Sequence, residues 1–101
     1  MSNESQVRVA VAVVICDERD AGNRSFKKVI VARRPEHLHL GGFLEFPGGK
    51  IEANETPERT LCRELYEELG IDVLRSPKCP LTQIEHHYPD KSVYLDVWTI
   101  K

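Results

Sequence analysis

The sequence predicts an α+β domain, a layered arrangement of β-strands and one amphipathic helix. Three stretches carry that reading. Val7 to Cys16 (VRVAVAVVIC) is rich in β-branched residues and almost continuously apolar after Arg8, the pattern of a strand covered on both faces. Thr56 to Gly70 carries the start and stop signals of a helix. Leu81 to Tyr88 and Ser92 to Ile100 flank Pro89-Asp90-Lys91 and read as two strands joined by a hairpin turn. At 101 residues and 41% hydrophobic content, the chain makes a single domain, 1–101, of modest stability.

In chain order, Met1 to Ser5 is a polar tail, and the Val7–Cys16 strand runs into a charged, glycine-containing loop, Asp17 to Ser25. Lys28 to Arg33 is a second strand whose short connection predicts antiparallel pairing with the first. Proline and paired glycines mark Arg34 to Gly42 as a loop. Phe43 to Phe46 is a short extended piece ended by Pro47 and the Gly48-Gly49 turn. Lys50 to Asn54 links that turn to the helix, with Ile51 as its apolar anchor. After the helix, Asp72 to Leu74 reads as a short strand, and Pro77 and Pro80 bracket a loop. In the final strand Val93, Leu95 and Val97 share one face, with Tyr94, Asp96 and Trp98 on the other. Trp98 reads as a core or edge residue, and His86 and His87 point to opposite faces, so they form no simple metal pair.

The helix is the informative element. Thr56 suits an N-cap, Pro57 a first helical position, Glu58 the first turn and Gly70 the C-terminal stop. At about 100° per residue, Leu61, Cys62, Leu65 and Leu69 form the core-facing stripe, while Glu64, Glu67 and Glu68 fall together in a neighbouring arc. Arg63 relieves Glu67 at i,i+4 but cannot neutralise three carboxylates. Taken alone, the three suit either a solvated acidic face or a hard divalent cation, which takes oxygen ligands and keeps water and phosphate as the others.

Composition narrows the partners. A net charge of −2 leaves no basic stripe for a nucleic-acid polymer. No apolar run approaches the roughly 20 residues of a membrane span, and the N-terminus has no signal pattern. The three cysteines, Cys16, Cys62 and Cys79, are odd in number and lack metal-type spacing, so they read as reduced thiols of a cytoplasmic protein.

The run Gly49, five residues, Glu55, seven residues, Arg63-Glu64-Leu65-Tyr66-Glu67-Glu68-Leu69-Gly70-Ile71 resembles the Nudix box of the Nudix hydrolase family. Leu44 to Glu52, Glu55 to Glu58, Arg33-Arg34 and Tyr88-Pro89-Asp90 resemble its MutT-like branch, and the likeness extends from about Val7 to Trp98. The resemblance implies an α/β/α sandwich on a mixed β-sheet. It also implies hydrolysis of a nucleoside triphosphate, with an oxidised purine such as 8-oxo-dGTP as the leading substrate, to a monophosphate and pyrophosphate. Such a reaction serves sanitation of the nucleotide pool. Mg²⁺, for which Mn²⁺ substitutes, is the implied cofactor. Its ligands by resemblance are the Gly48 carbonyl, Glu64, Glu67 and Glu68; Glu64 orients or deprotonates the attacking water, so the three glutamates are the catalytic candidates. Arg34, His39, Glu45, Phe46, Pro47 and Gly48 form the substrate wall, while Gly49, Glu55 and Arg63 hold the loop–helix geometry. Other readings are hydrolysis of another nucleoside diphosphate derivative such as ADP-ribose, or a non-catalytic nucleotide-binding module.

The sequence departs from the family pattern at its end. The resemblance implies further strand and a second helix over the other sheet face, with a loop glutamate and a purine-reading asparagine, and no position here matches them. The domain therefore reads as C-terminally incomplete, with an uncovered apolar face that invites a partner such as a second copy of the chain.

Overall fold

The computed structural model describes residues 5–38 and 41–101. Strand β1 (Ser5–Arg19) is central, paired in parallel with β7 (Lys91–Ile100) along its whole apolar length. Antiparallel to β1 on its other side lie β5 (Gly48–Lys50) and then β2 (Ser25–Val29). Antiparallel to β7 lies β6 (Lys78–His87), the far edge. The sheet is therefore mixed, in the order β2-β1-β7-β6 with β5 also on β1. A separate two-stranded ribbon, β3 (Ala32–Arg33) with β4 (Leu44–Glu45), stands off the sheet.

Helix α1 (Pro57–Leu69) starts and stops where its punctuation places it. The Thr56 hydroxyl accepts from the Arg59 N–H, and Gly70 at φ 68° closes the C-terminus in the left-handed conformation. The helix lies on one sheet face, where Leu61 and Leu65, both fully buried, meet Ala10, Ala12 and Val14 of β1 and Ile100 of β7. Each such leucine contributes roughly 1.5–3 kcal/mol. Alanines at positions 10 and 12 let the helix approach the sheet closely. Cys62 and Trp98 pack partly buried against this core, as predicted.

The opposite face of the sheet is a field of aliphatic side chains. The register sets Val7 beside Val93, Val9 beside Leu95 and Val11 beside Val97, with Ile84 next to Leu95 and Val29 next to Ile15. None of these is fully buried, and Val29 and Ile84 are about half exposed. Among the described residues there is one helix, and it lies on the other side.

Several boundaries differ from the sequence reading. The charged stretch predicted as a loop is mostly strand: Asp17 faces Lys27 across the ladder with their side chains 2.7 Å apart, and Glu18 pairs with Lys28 at 2.9 Å. Opposite charges so placed let polar residues continue a ladder. The turn itself is confined to Asp20–Arg24, with Asn23 left-handed at φ 63° and the Asp20 carboxylate accepting from the Arg24 N–H. The predicted strand Lys28–Arg33 divides, its first part pairing with β1 and its last two residues with β4. Asp72–Leu74 forms no strand; Val73 enters the core while the Asp72 carboxylate accepts from the Leu74 N–H, a local turn. The Lys78 ammonium ties that turn down through the Val73 and Ser76 carbonyls. Strand β6 then begins at Lys78 and runs through Pro80, absorbing the proline in a register shift between Pro80 and Thr82. His86 and His87 do point to opposite faces, His87 Nδ1 lying 2.7 Å from the Ser92 hydroxyl.

Candidate active site

The site forms where the β3–β4 ribbon, β5 and the acidic side of α1 meet. A cavity of about 540 Å³ is lined by Arg33, Arg34, Glu45, Gly48 and Glu68, with apolar contributions from Ala32, Pro35, Leu38 and Leu69. Four of the residues singled out by sequence, Arg34, Glu45, Gly48 and Glu68, thus share one chamber. The Arg34 guanidinium lies 3.6 Å from the Glu45 carboxylate. Pro47 is buried, its carbonyl accepting from the Ala12 N–H at 2.9 Å, while Phe46 is 44% exposed. Neither lines the cavity. His39 lies outside the described residues.

The strand β5 aims backbone at the site. Ala12 donates to Pro47 and Ile51 donates to Arg8, and in an antiparallel ladder such bonded pairs alternate with pairs that face outward. Gly48, opposite Val11, is one of the outward residues, so its N–H and its carbonyl both turn away from β1. The N–H meets the Glu68 carboxyl. A side chain at Gly48 would strike the Ala10 carbonyl oxygen, and one at Gly49 would strike the Glu64 carboxyl. Glycine is therefore required at both, first by the sheet and then by the helix.

On the helix, Glu64 and Glu68 come together and Glu67 does not join them. Partial burial, a hydrogen bond donated by the protonated carboxyl to Glu64 and the charges of Glu64 and Glu45 push the Glu68 carboxyl up to about 7, with the Gly48 N–H opposing. The nearness of Glu64 and Glu45 thus disfavours charge on Glu68, and a cation at that point would favour it. Glu67 is 61% exposed and lies 3.7 Å from Arg63. Among the described residues, no group of three Asp, Glu, His or Cys side chains is arranged to enclose an ion by itself. The donor set nonetheless fits a hard divalent cation: two carboxylates repelling each other beside an outward backbone carbonyl, open to a cavity with room for phosphate oxygens.

Behind the pair stands Arg63. Its Nε and Nη2 each donate to Glu55 at 2.9 Å, Nη1 donates to Glu64 at 2.7 Å, and Nη2 also reaches the Lys50 carbonyl at 3.1 Å. Glu55 in turn accepts from the Glu52 N–H. The Arg63 fork, followed by that N–H, holds the Glu55 carboxyl down at about 2. Arg63 thus ties the loop before the helix to the Glu64 carboxylate.

Sequence reasoning missed two residues here. Thr60 is fully buried and donates to Glu55 at 2.9 Å, although its place in the periodicity sits beside the leucine stripe. Arg33 lines the cavity and donates to the Gly42 carbonyl at 2.7 Å. A polar residue at a stripe-flanking position was the available signal for the first; for the second it was the Arg33-Arg34 pair, of which the sequence reading singled out only Arg34.

Comparison with known proteins agrees with this geometry. The profile described as NUDIX domain matches residues 12–101. The 8-oxo-dGTP diphosphatase of Proteus vulgaris is 43% identical over 101 residues, covering 99% of this chain and 80% of that protein. The 8-oxo-dGTP diphosphatase of Escherichia coli K12 is 34% identical, covering 95% of this chain and 67% of that protein. The crystal structure of MutT NUDIX hydrolase from Burkholderia pseudomallei superposes with a TM-score of 0.71 at 25% identity, over 96% of this chain and 67% of that one. The first solved structures matched are longer, the chain spanning 61 to 72% of each.

Proposed function

The chain belongs to the NUDIX domain family, and from that premise we propose that its site hydrolyses a nucleoside triphosphate to a monophosphate and pyrophosphate. One observation carries the proposal: the Glu64 and Glu68 side chains meet beside the outward backbone of Gly48, and Glu68 and Gly48 line the cavity that also holds Arg34. The relatives' names support 8-oxo-dGTP as substrate and sanitation of the nucleotide pool as the role.

Glu64, Glu68 and the Gly48 carbonyl are the residues to hold Mg²⁺ or Mn²⁺, with Glu67 as an outer carboxylate. When bound, such an ion supplies positive charge to phosphate oxygens and lowers the pKa of a water. The chain's own groups do the rest. Glu64, oriented by Arg63, is placed to align or deprotonate the attacking water. Arg34 offers a planar fork to phosphate or a face to the base, exchanging its present partner Glu45 for substrate. Exposed Phe46 supplies apolar surface for the nucleobase. Glu55, Arg63 and Thr60 hold the geometry from behind.

The three cysteines are free thiols, which supports a reducing, cytoplasmic setting. No helix of the structure is long and apolar enough to cross a membrane. The aliphatic sheet face supports self-association through a second copy, and the net charge of −2 speaks against a nucleic-acid polymer as partner.

Pyrophosphate release from a panel of nucleoside triphosphates, and AMP release from ADP-ribose, each with Mg²⁺, with Mn²⁺ and without metal, tests the reading. We expect metal-dependent turnover with 8-oxo-dGTP preferred over dGTP. A panel in which no nucleotide releases pyrophosphate with either metal would refute it.

A further inference from the structure

We propose that Arg33 is a positioning residue: it fixes the arm of chain that carries Arg34 and Glu45, and so sets nucleotide affinity through Arg34 without contacting the reacting atoms. The inference rests on reading the cavity as a nucleotide site. Its starting point is the weakness of the arm. Strands β3 and β4 contribute two residues each and form a ribbon separate from the main sheet. A ribbon of that size is marginal on its own, yet both Arg34 and Glu45 stand on it or directly beside it.

What holds the arm is concentrated at Gly42. The Arg34 N–H donates to the Phe43 carbonyl at 2.9 Å, and the Gly42 N–H donates to the Arg34 carbonyl at 2.8 Å. The remaining polar group of the Gly42 peptide residue, its carbonyl, accepts from Arg33 Nη1 at 2.7 Å. That bond has a charged donor and is correspondingly short. Gly42 itself sits at φ 84°, where a side chain would press on the Glu36 carboxylate at 3.1 Å. The backbone of Arg34 is thus bonded to a glycine whose place is set by its neighbour's guanidinium. Both arginines line the cavity, but their partners divide the labour: the Arg33 guanidinium is engaged by the Gly42 carbonyl, while that of Arg34 lies beside Glu45.

The competing reading is that Arg33, which also lines the cavity, binds phosphate directly. A double-mutant cycle separates the two. The test measures the affinity of the full chain for a non-hydrolysable nucleoside triphosphate analogue with Mg²⁺, for wild type, R33A, R33K, R34A and R33A/R34A. Amide exchange at Gly42 and Phe43 is followed in the same variants. We expect R33A to weaken binding about 3- to 10-fold, R33K to recover most of that through its charged ammonium donor, and R33A to add less than about 2-fold in the R34A background. Exchange at Gly42 should quicken in R33A while the α1 amides stay protected. Unchanged affinity in R33A overturns the proposal, and so do losses that multiply in the double variant, which would make Arg33 a direct ligand. Wild-type protein that binds no nucleotide overturns the reading of the site itself, together with the role for Arg33.

Discussion

Arg63 and Glu55 are joined as fork to fork, Nε to Oε2 and Nη2 to Oε1, both at 2.9 Å. The same guanidinium reaches Glu64 at 2.7 Å, so one planar group sets the distance between the loop before α1 and the acidic face of α1. Its rigidity makes lysine a poor substitute.

The pair predicts a stability profile with pH. The folded-state value of Glu55, about 2, lies below its ordinary 4.5. Its contribution is therefore complete above pH 4.5 and is lost as pH falls through that value towards 2. Thermal unfolding between pH 7 and pH 2.5 should show wild type losing stability more steeply than Glu55→Gln in the acid range. Parallel curves would deny Glu55 this role.

A second prediction concerns Glu68. Replacing it by glutamine removes a carboxylate that Glu64 and Glu45 repel. Pyrophosphate release should fall on the order of 10³-fold, by analogy with loss of a preorganised charge-stabilising group. Without divalent metal at pH 8, the variant should melt at a higher temperature than wild type, because the repulsion has gone. Added Mg²⁺ should raise the wild-type melting temperature and leave the variant nearly unmoved.

The two glycines of β5 should respond differently to alanine. At Gly48 the new methyl meets backbone, the Ala10 carbonyl, and unfolding measurements should register a loss of about 2–4 kcal/mol. At Gly49 it meets a side chain, Glu64, which can turn aside. Gly49→Ala should therefore keep most of its stability while losing activity, since Glu64 is pushed away from Glu68. Equal loss of stability in both would show that Glu64 has no room to move.

The aliphatic face opposite the helix predicts association. Light scattering should detect dimers or larger species, and Val11→Glu, placed in the middle of the Val9–Val13 row beside Val97, should shift the protein towards monomer. A wild-type monomer at all concentrations would remove this face as an interface.

Much of this was legible in the residues. The helix bounds followed from Thr56, Pro57 and Gly70, each with a stated backbone reason, and the acidic arc followed from helical spacing. What escaped were features that depend on distant partners. Asp17 to Arg19 looked like loop because charge suppresses the strand pattern, and only the facing lysines restore it. Asp72 to Leu74 looked like strand because a β-branched residue stood there, while the local Asp72 turn prevailed. Gly48-Gly49 was visible as a turn but not as a strand, since glycine carries no β preference of its own. The acidic cluster was predicted in part: spacing placed Glu64, Glu67 and Glu68 on one arc, but only Glu64 and Glu68 meet, while Glu67 lies exposed near Arg63.

The outer strand β6 carries a further consequence. It is ten residues long and partnered on one side only, which ordinarily offers a template to any extended chain passing by. Pro80 lacks a backbone donor, and the slip between Pro80 and Thr82 bends the ladder there. Pairing of copies edge to edge is thereby discouraged at that end of β6.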